Sequence, residues 1–146
     1  MESIYDVYKR LREIGVEELN SIPAKIRVLP MFTTKYNASC GDRVTFGLST
    51  DNKGRITEIR FNTDGCLICS ASTKALTMSL RGKTLNEAQE ILQQYYHLVK
   101  GDSPSDITDG VLYNFLALRK YPNRIGCATL AADAIEDIIQ DNISSS

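Results

Sequence analysis

Cys40-Gly41-Asp42-Arg43-Val44-Thr45-Phe46-Gly47-Leu48 opens a stretch that turns at Asp51-Asn52-Lys53-Gly54 and returns as Ile59-Arg60-Phe61-Asn62-Thr63-Asp64-Gly65-Cys66. Val44, Phe46 and Leu48 alternate with polar residues, the turn residues follow, and Ile59 with Phe61 resumes the alternation. This pattern predicts a β-hairpin. Antiparallel strands return to where they began, so the start of the first and the end of the second share one sheet edge. Asp42 is therefore expected beside Cys66, although 24 positions separate them in the chain.

Helices surround the hairpin. Ile4, Tyr8 and Leu11 recur at helical spacing before Gly15, whereas residues 21–39, with Pro23 and Pro30, predict an extended connection holding at most one short strand. From Cys66 to Leu80 the chain turns helical, with Ser70, Ala71 and Ser72 early and Leu76 and Leu80 later. Gly82 ends this helix, and Thr84 with Glu87 marks a capping box that starts another through about Tyr96. Lys100 to Asp109 predicts a surface loop, and Val111, Leu112, Phe115 and Leu116 a shorter helix that Pro122 breaks. Leu130, Ala131, Ala134, Ile135, Ile138 and Ile139 then form one apolar stripe opposite Asp133, Glu136 and Asp137. Residues 1–146 are expected to form one domain, with 1–39 as N-terminal helix and connection and 140–146 as a patternless, disordered tail.

Composition excludes several classes of function. Lys plus Arg numbers 17 against 18 for Asp plus Glu, a balance with no basic run to attract nucleic acid or an anionic membrane. No stretch approaches the apolar length of a membrane span, and Met1-Glu2-Ser3-Ile4 lacks the features of a secretory signal. The expected compartment is the cytoplasm, where the four cysteines stay reduced and point to metal or sulfur chemistry rather than disulfides.

Cys40, Cys66 and Cys127 each stand at a turn or helix start rather than within an apolar stripe. A helix N-terminus directs free N–H groups at its first residues and favours thiolate there, which is the expectation for Cys66 and Cys127. Three thiolates and the Asp42 carboxylate would complete a tetrahedral shell for zinc or iron. The spacing lacks the paired C-x-x-C of a zinc ribbon. Cys66 and Cys69 do form one C-x-x-C, but no βαβ order surrounds it, so Cys69 is expected to be a packed core residue. His97 is expected to be exposed or structural, Tyr95 and Tyr96 to serve helix packing, and Arg124 either to meet a thiolate or partner or to form a surface ion pair.

Cys40-Gly41-Asp42, the hairpin, Asp64-Gly65-Cys66, Gly82-Lys83-Thr84-Leu85-Asn86-Glu87-Ala88 and Arg124-Ile125-Gly126-Cys127-Ala128-Thr129-Leu130 together resemble the IscU/SufU/NifU N-terminal family over about residues 40–139. The resemblance implies an α+β, SufE/NifU-like fold, a small antiparallel sheet packed by several helices. It also implies a role in iron–sulfur cluster assembly alongside a cysteine desulfurase. IscU-type members carry histidine before the last cysteine; Gly126 and the segment from about Lys100 to Leu118 resemble the SufU type instead. That type implies zinc held by Cys40, Asp42, Cys66 and Cys127, and a sulfurtransferase-like relay. Sulfur would pass from a SufS-like desulfurase to Cys40, with Cys127 as the competing acceptor, and on to downstream assembly proteins or apoproteins. The alternatives are an IscU-like scaffold holding iron in a transient 2Fe–2S cluster on the same residues, and a purely structural zinc protein. Two departures stand out: Asn20-Ser21-Ile22-Pro23-Ala24-Lys25 replaces an Asn-Pro-Arg-Asn-like segment, and Gly126 stands where SufU proteins generally have lysine.

Overall fold

The hairpin forms as its alternation requires, and a third strand joins it. In the computed structural model, which describes residues 4–13, 21–38, 41–101 and 110–145, strands β1 (Met31–Asn37), β2 (Asp42–Thr50) and β3 (Ile56–Asp64) make one antiparallel sheet in the order β1-β2-β3. Phe46 faces Phe61 and Leu48 faces Ile59 across the hairpin. Its turn is closed by the Asp51 carboxylate, which accepts the backbone N–H groups of Lys53 and Arg55 at 2.8 and 3.0 Å. β1 pairs along β2 from Met31 opposite Leu48 to Asn37 opposite Asp42.

The segment expected as an extended connection thus holds a full seven-residue strand, preceded by one helical turn, α2 (Pro23–Ile26). Pro23 suits a first helical position, where no N–H is needed. β1 hides its alternation because its aromatic residues face outward. Phe32 and Tyr36 are exposed, while Met31, Thr33 and Lys35 are half-buried.

Helix α3 (Leu67–Leu80) lies at the centre of the fold, buried along most of its surface. Small residues permit this, and its hydroxyls turn back on their own helix: Ser72 and Thr73 donate to the Cys69 carbonyl and Thr77 to the Thr73 carbonyl. Helix α5 (Ile125–Ser145) packs its predicted stripe on α3, β1 and β2. It continues to Ser145, through residues where the sequence carries no pattern. The acidic residues opposite the stripe are engaged: Tyr96 donates to Asp133, Gln89 to Glu136, and Lys35 lies 2.8 Å from Asp137. Helix α1 (Ile4–Arg12) buries Val7 and Leu11 against α3 and the segment 111–120.

Helix α4 (Leu85–Lys100) starts at the predicted capping box. The Thr84 hydroxyl accepts the Glu87 N–H, the Glu87 carboxylate accepts the Thr84 N–H, and Gly101 closes the other end at φ 73°. The helix predicted around Val111 is a 3-10 helix, Val111–Lys120. Its buried residues, Leu112, Phe115 and Leu118, recur every third position, which matches the three residues per turn of that geometry. Phe115 packs edge-on against Tyr95 of α4 with ring centroids 5.8 Å apart. Of the predicted loop from Lys100 to Asp109, Lys100 is the last residue of α4 and Gly101 its cap, and residues 102–109 lie outside the described residues. Among those described, no helix is long and apolar enough to cross a membrane.

Thr84→Ala removes one half of the capping box without touching the core. It is expected to cost about 1 kcal/mol, read as a fall in melting temperature of about 3–4 °C; an unchanged melting temperature would show that the box contributes nothing.

Candidate metal centre

Asp42 and Cys66 meet where the hairpin predicts. Asp42 is the first residue of β2, and Cys66 follows the end of β3 as the N-cap of α3, with extended backbone at φ −74° and ψ 165°. The Asp42 carboxylate, 1% exposed, accepts the Cys66 backbone N–H on Oδ1 at 2.8 Å. Its other oxygen, Oδ2, stands 3.9 Å from Cys66 Sγ. Gly65 makes this approach possible: a Cβ there would lie 2.1 Å from Oδ1 and 2.9 Å from the Asp42 Cα.

Cys127 comes from α5, which packs on α3 and across β1 and β2. A 3-10 turn, Pro122–Arg124, runs directly into that helix, so the N–H groups of Arg124 and Ile125 are already bonded to the Tyr121 and Pro122 carbonyls. Asn37 Nδ2 donates to Cys127 Sγ at 3.9 Å. Asn37 is a site residue the sequence did not reveal, because its place at the end of β1, opposite Asp42, shows only once β1 is recognised.

One ligand atom from each of Asp42, Cys66 and Cys127 lies within 4.8 Å of the other two. Ligand atoms of a tetrahedral zinc site with bonds near 2.0–2.3 Å stand about 3.3–3.8 Å apart, so a small inward movement brings the three into one coordination sphere. Their chemistry fits as well. A buried carboxylate with two thiols has no cationic side chain bonded to the carboxylate among the described residues. Such a group is costly to bury until a cation joins it. Oδ1 is held by an amide, and Oδ2 stands beside Cys66 Sγ. Cys66 is half-buried and Cys127 buried, so the centre opens to solvent on the Cys66 side.

Cys40, with Ser39, lies outside the described residues. The turn leading from Gly41 into Asp42 is described, and the Gly41 N–H is bonded to the Asn37 carbonyl at 2.8 Å. Cys69 is buried in the core, and His97 and Arg124 are exposed. Among the described residues no hydrogen bond or ion pair joins Arg124 to the three donors. Tyr95 braces the site from behind: its buried hydroxyl donates to the Ala128 carbonyl, one residue past Cys127, at 2.8 Å, and burial pushes the phenol pKa up.

Residues 1–143 match the family model described as the NifU-like N terminal domain. The chain is 32% identical over 135 residues to the "Zinc-dependent sulfurtransferase SufU" of Bacillus subtilis, covering 91% of this chain and 84% of that protein. It is 30% identical over 105 residues to the "Iron-sulfur cluster assembly scaffold protein IscU" of Streptococcus pyogenes, where the match spans 71% of this chain and 65% of the relative. Among solved structures, a putative iron–sulfur cluster assembly scaffold protein for the SUF system from Fervidobacterium islandicum superposes with a TM-score of 0.79. It is 25% identical, and the match covers 89% of this chain and 93% of that one. The three-stranded sheet, the helices packed on it and the family match agree, and the chain belongs to the NifU-like N-terminal domain family.

Proposed function

We propose that this protein is a SufU-like sulfur acceptor in iron–sulfur cluster assembly, a single domain that works in the reducing cytoplasm and receives persulfide sulfur from a SufS-like cysteine desulfurase. The observation that carries this reading is the position before Cys127. Gly126 offers no imidazole, so the donor set is thiol and carboxylate alone, and a Cβ at that position would meet Asn37 Nδ2 at 3.3 Å. The 32% identity to the B. subtilis zinc-dependent sulfurtransferase over nearly the whole chain supports the same reading.

In this reading Asp42, Cys66 and Cys127, with Cys40, hold Zn2+. The ion, when bound, keeps the thiols deprotonated and shields them from oxidation. Asp42 is the hardest of the four ligands and makes the shell open more readily than four thiolates would. An acceptor thiolate attacks the terminal sulfur of the donor persulfide. A new S–S bond forms, the donor's S–S bond breaks, and the electron pair leaves on the desulfurase thiolate. Complete burial of Cys127 favours Cys40 as the acceptor, since the attacking thiolate must reach the donor persulfide. Recipients are downstream assembly proteins or apoproteins.

Protein purified anaerobically without added metal is expected to hold one zinc per chain and to show no visible absorption. Iron and sulfide with charge-transfer bands would transfer the reading to a scaffold that carries a transient 2Fe–2S cluster as cargo, and no metal at all would overturn the four-ligand site. Bound zinc without transfer of sulfur from desulfurase and cysteine would leave a structural zinc protein.

Two variants test the ligand set. Cys66→Ser is expected to abolish stoichiometric metal binding, and retained stoichiometry and affinity would remove Cys66 from the set. Gly65→Ala, which forces the Asp42 carboxylate away from its amide, is expected to weaken metal binding by roughly 10–100-fold, measured by competition with a chromophoric chelator.

A further inference from the structure

The two described thiols of the centre have unlike surroundings. Cys66 is half-buried, and its recorded partner is a carboxylate oxygen, Asp42 Oδ2, at 3.9 Å. Cys127 is fully buried and receives an N–H from the Asn37 amide. A carboxylate beside a sulfur leaves its electron density in place, whereas a hydrogen-bond donor draws density away and makes the thiolate a poorer nucleophile and a more firmly placed ligand.

Asn37 is fixed by more than its side chain. It closes β1, pairs with Asp42 across the ladder, and its carbonyl accepts the Gly41 N–H at 2.8 Å. One residue thus holds the turn that delivers Asp42 and, through its amide, the thiol on α5. Gly126 supplies the room. A Cβ there would stand 3.3 Å from Nδ2, tighter than ordinary van der Waals contact, so a side chain at that position shifts the amide by a few tenths of an ångström. The glycine that departs from the SufU pattern and the asparagine at the strand end therefore work as a pair.

We propose that Asn37 is a positioning residue that makes Cys127 the retained thiolate of the centre and so directs incoming sulfur to the site's other cysteines. The inference rests on the sulfur-acceptor reading above. It assigns no chemistry to Asn37 itself, which acts through the sulfur it contacts.

Two variants test it: Asn37→Ala, which deletes the donor, and Gly126→Ala, which leaves Asn37 in the sequence but displaces its amide. Each is compared with the native protein in two measurements. With cobalt added to metal-free protein, loss of the N–H···S bond leaves a more electron-rich thiolate, so the thiolate-to-cobalt charge-transfer band is expected to move to lower energy in both variants. After incubation with a cysteine desulfurase and cysteine, trapping of persulfides by alkylation and peptide mass spectrometry is expected to show the share of sulfur on Cys127 rising by about tenfold, the low end of the effect of losing a group that orients a metal ligand.

A band that stays in place in both variants overturns the hydrogen bond as an influence on the thiolate. A shifted band with the native distribution of sulfur overturns its role in directing sulfur. Native protein that binds cobalt but takes up no sulfur overturns the acceptor reading and the routing with it, a failure distinguishable because it occurs before any substitution is made.

Discussion

The hydrogen bond from the Cys66 backbone to the Asp42 carboxylate ties the two ends of the hairpin together, and the geometry of the centre depends on it. The bond is 2.8 Å long and forms only because Gly65 has no side chain; any other residue there would place a carbon inside the carboxylate. The same bond sets the start of α3, since the residue that donates it is the N-cap of that helix. Sheet edge, helix start and ligand orientation are thus one constraint, and each of the three loses its position without the other two.

The third donor is placed by packing rather than by the hairpin. α5 lies on β1, β2 and α3, so Cys127 reaches the centre at whatever depth the core allows. Tyr95 fixes that depth. Its ring is buried between Phe115 and the helices, and its hydroxyl bonds the Ala128 carbonyl. A buried hydroxyl without a partner would cost roughly 1–3 kcal/mol, so the bond holds α4 and the first turns of α5 in one relation. The three candidate ligands are therefore supported from two sides, by backbone geometry at Asp42 and Cys66 and by side-chain packing at Cys127.

Legibility in the sequence followed local signals. The hairpin, the capping box at Thr84, the apolar stripe of α5 and the meeting of Asp42 with Cys66 all rest on periodicity or turn chemistry within a few residues, and all are present. β1 was illegible as a full strand because Phe32 and Tyr36 occupy its exposed face, reversing the usual association of large apolar residues with burial. Missing β1 meant missing Asn37, whose importance comes from a register that only pairing reveals. The segment from Val111 to Lys120 carried a three-residue repeat that resembles a helical one until Leu112, Phe115 and Leu118 are seen to be its buried set. The environment of Cys127 is non-local too: an amide from the end of β1 meets its sulfur.

What the centre gives up in stability is bound to what it can do. Asp42 is almost wholly buried beside two thiols, and among the described residues its recorded bonds are one amide and one thiol contact, with no lysine or arginine. Burying such a carboxylate costs several kcal/mol when nothing compensates it, and a basic side chain would be the ordinary structural remedy. A cation held by the same three groups compensates it as well, but only while it stays bound, so folding and metal binding become coupled. An arginine in that place would have stabilised the apo fold permanently and repelled the metal. With one amide and, among the described residues, no basic side chain on it, the Asp42 carboxylate leaves room for a cation, and Cys66 is half-buried beside it. Of the two described thiols, Cys127 is fully buried and Cys66 half-buried, so solvent meets the pair at Cys66.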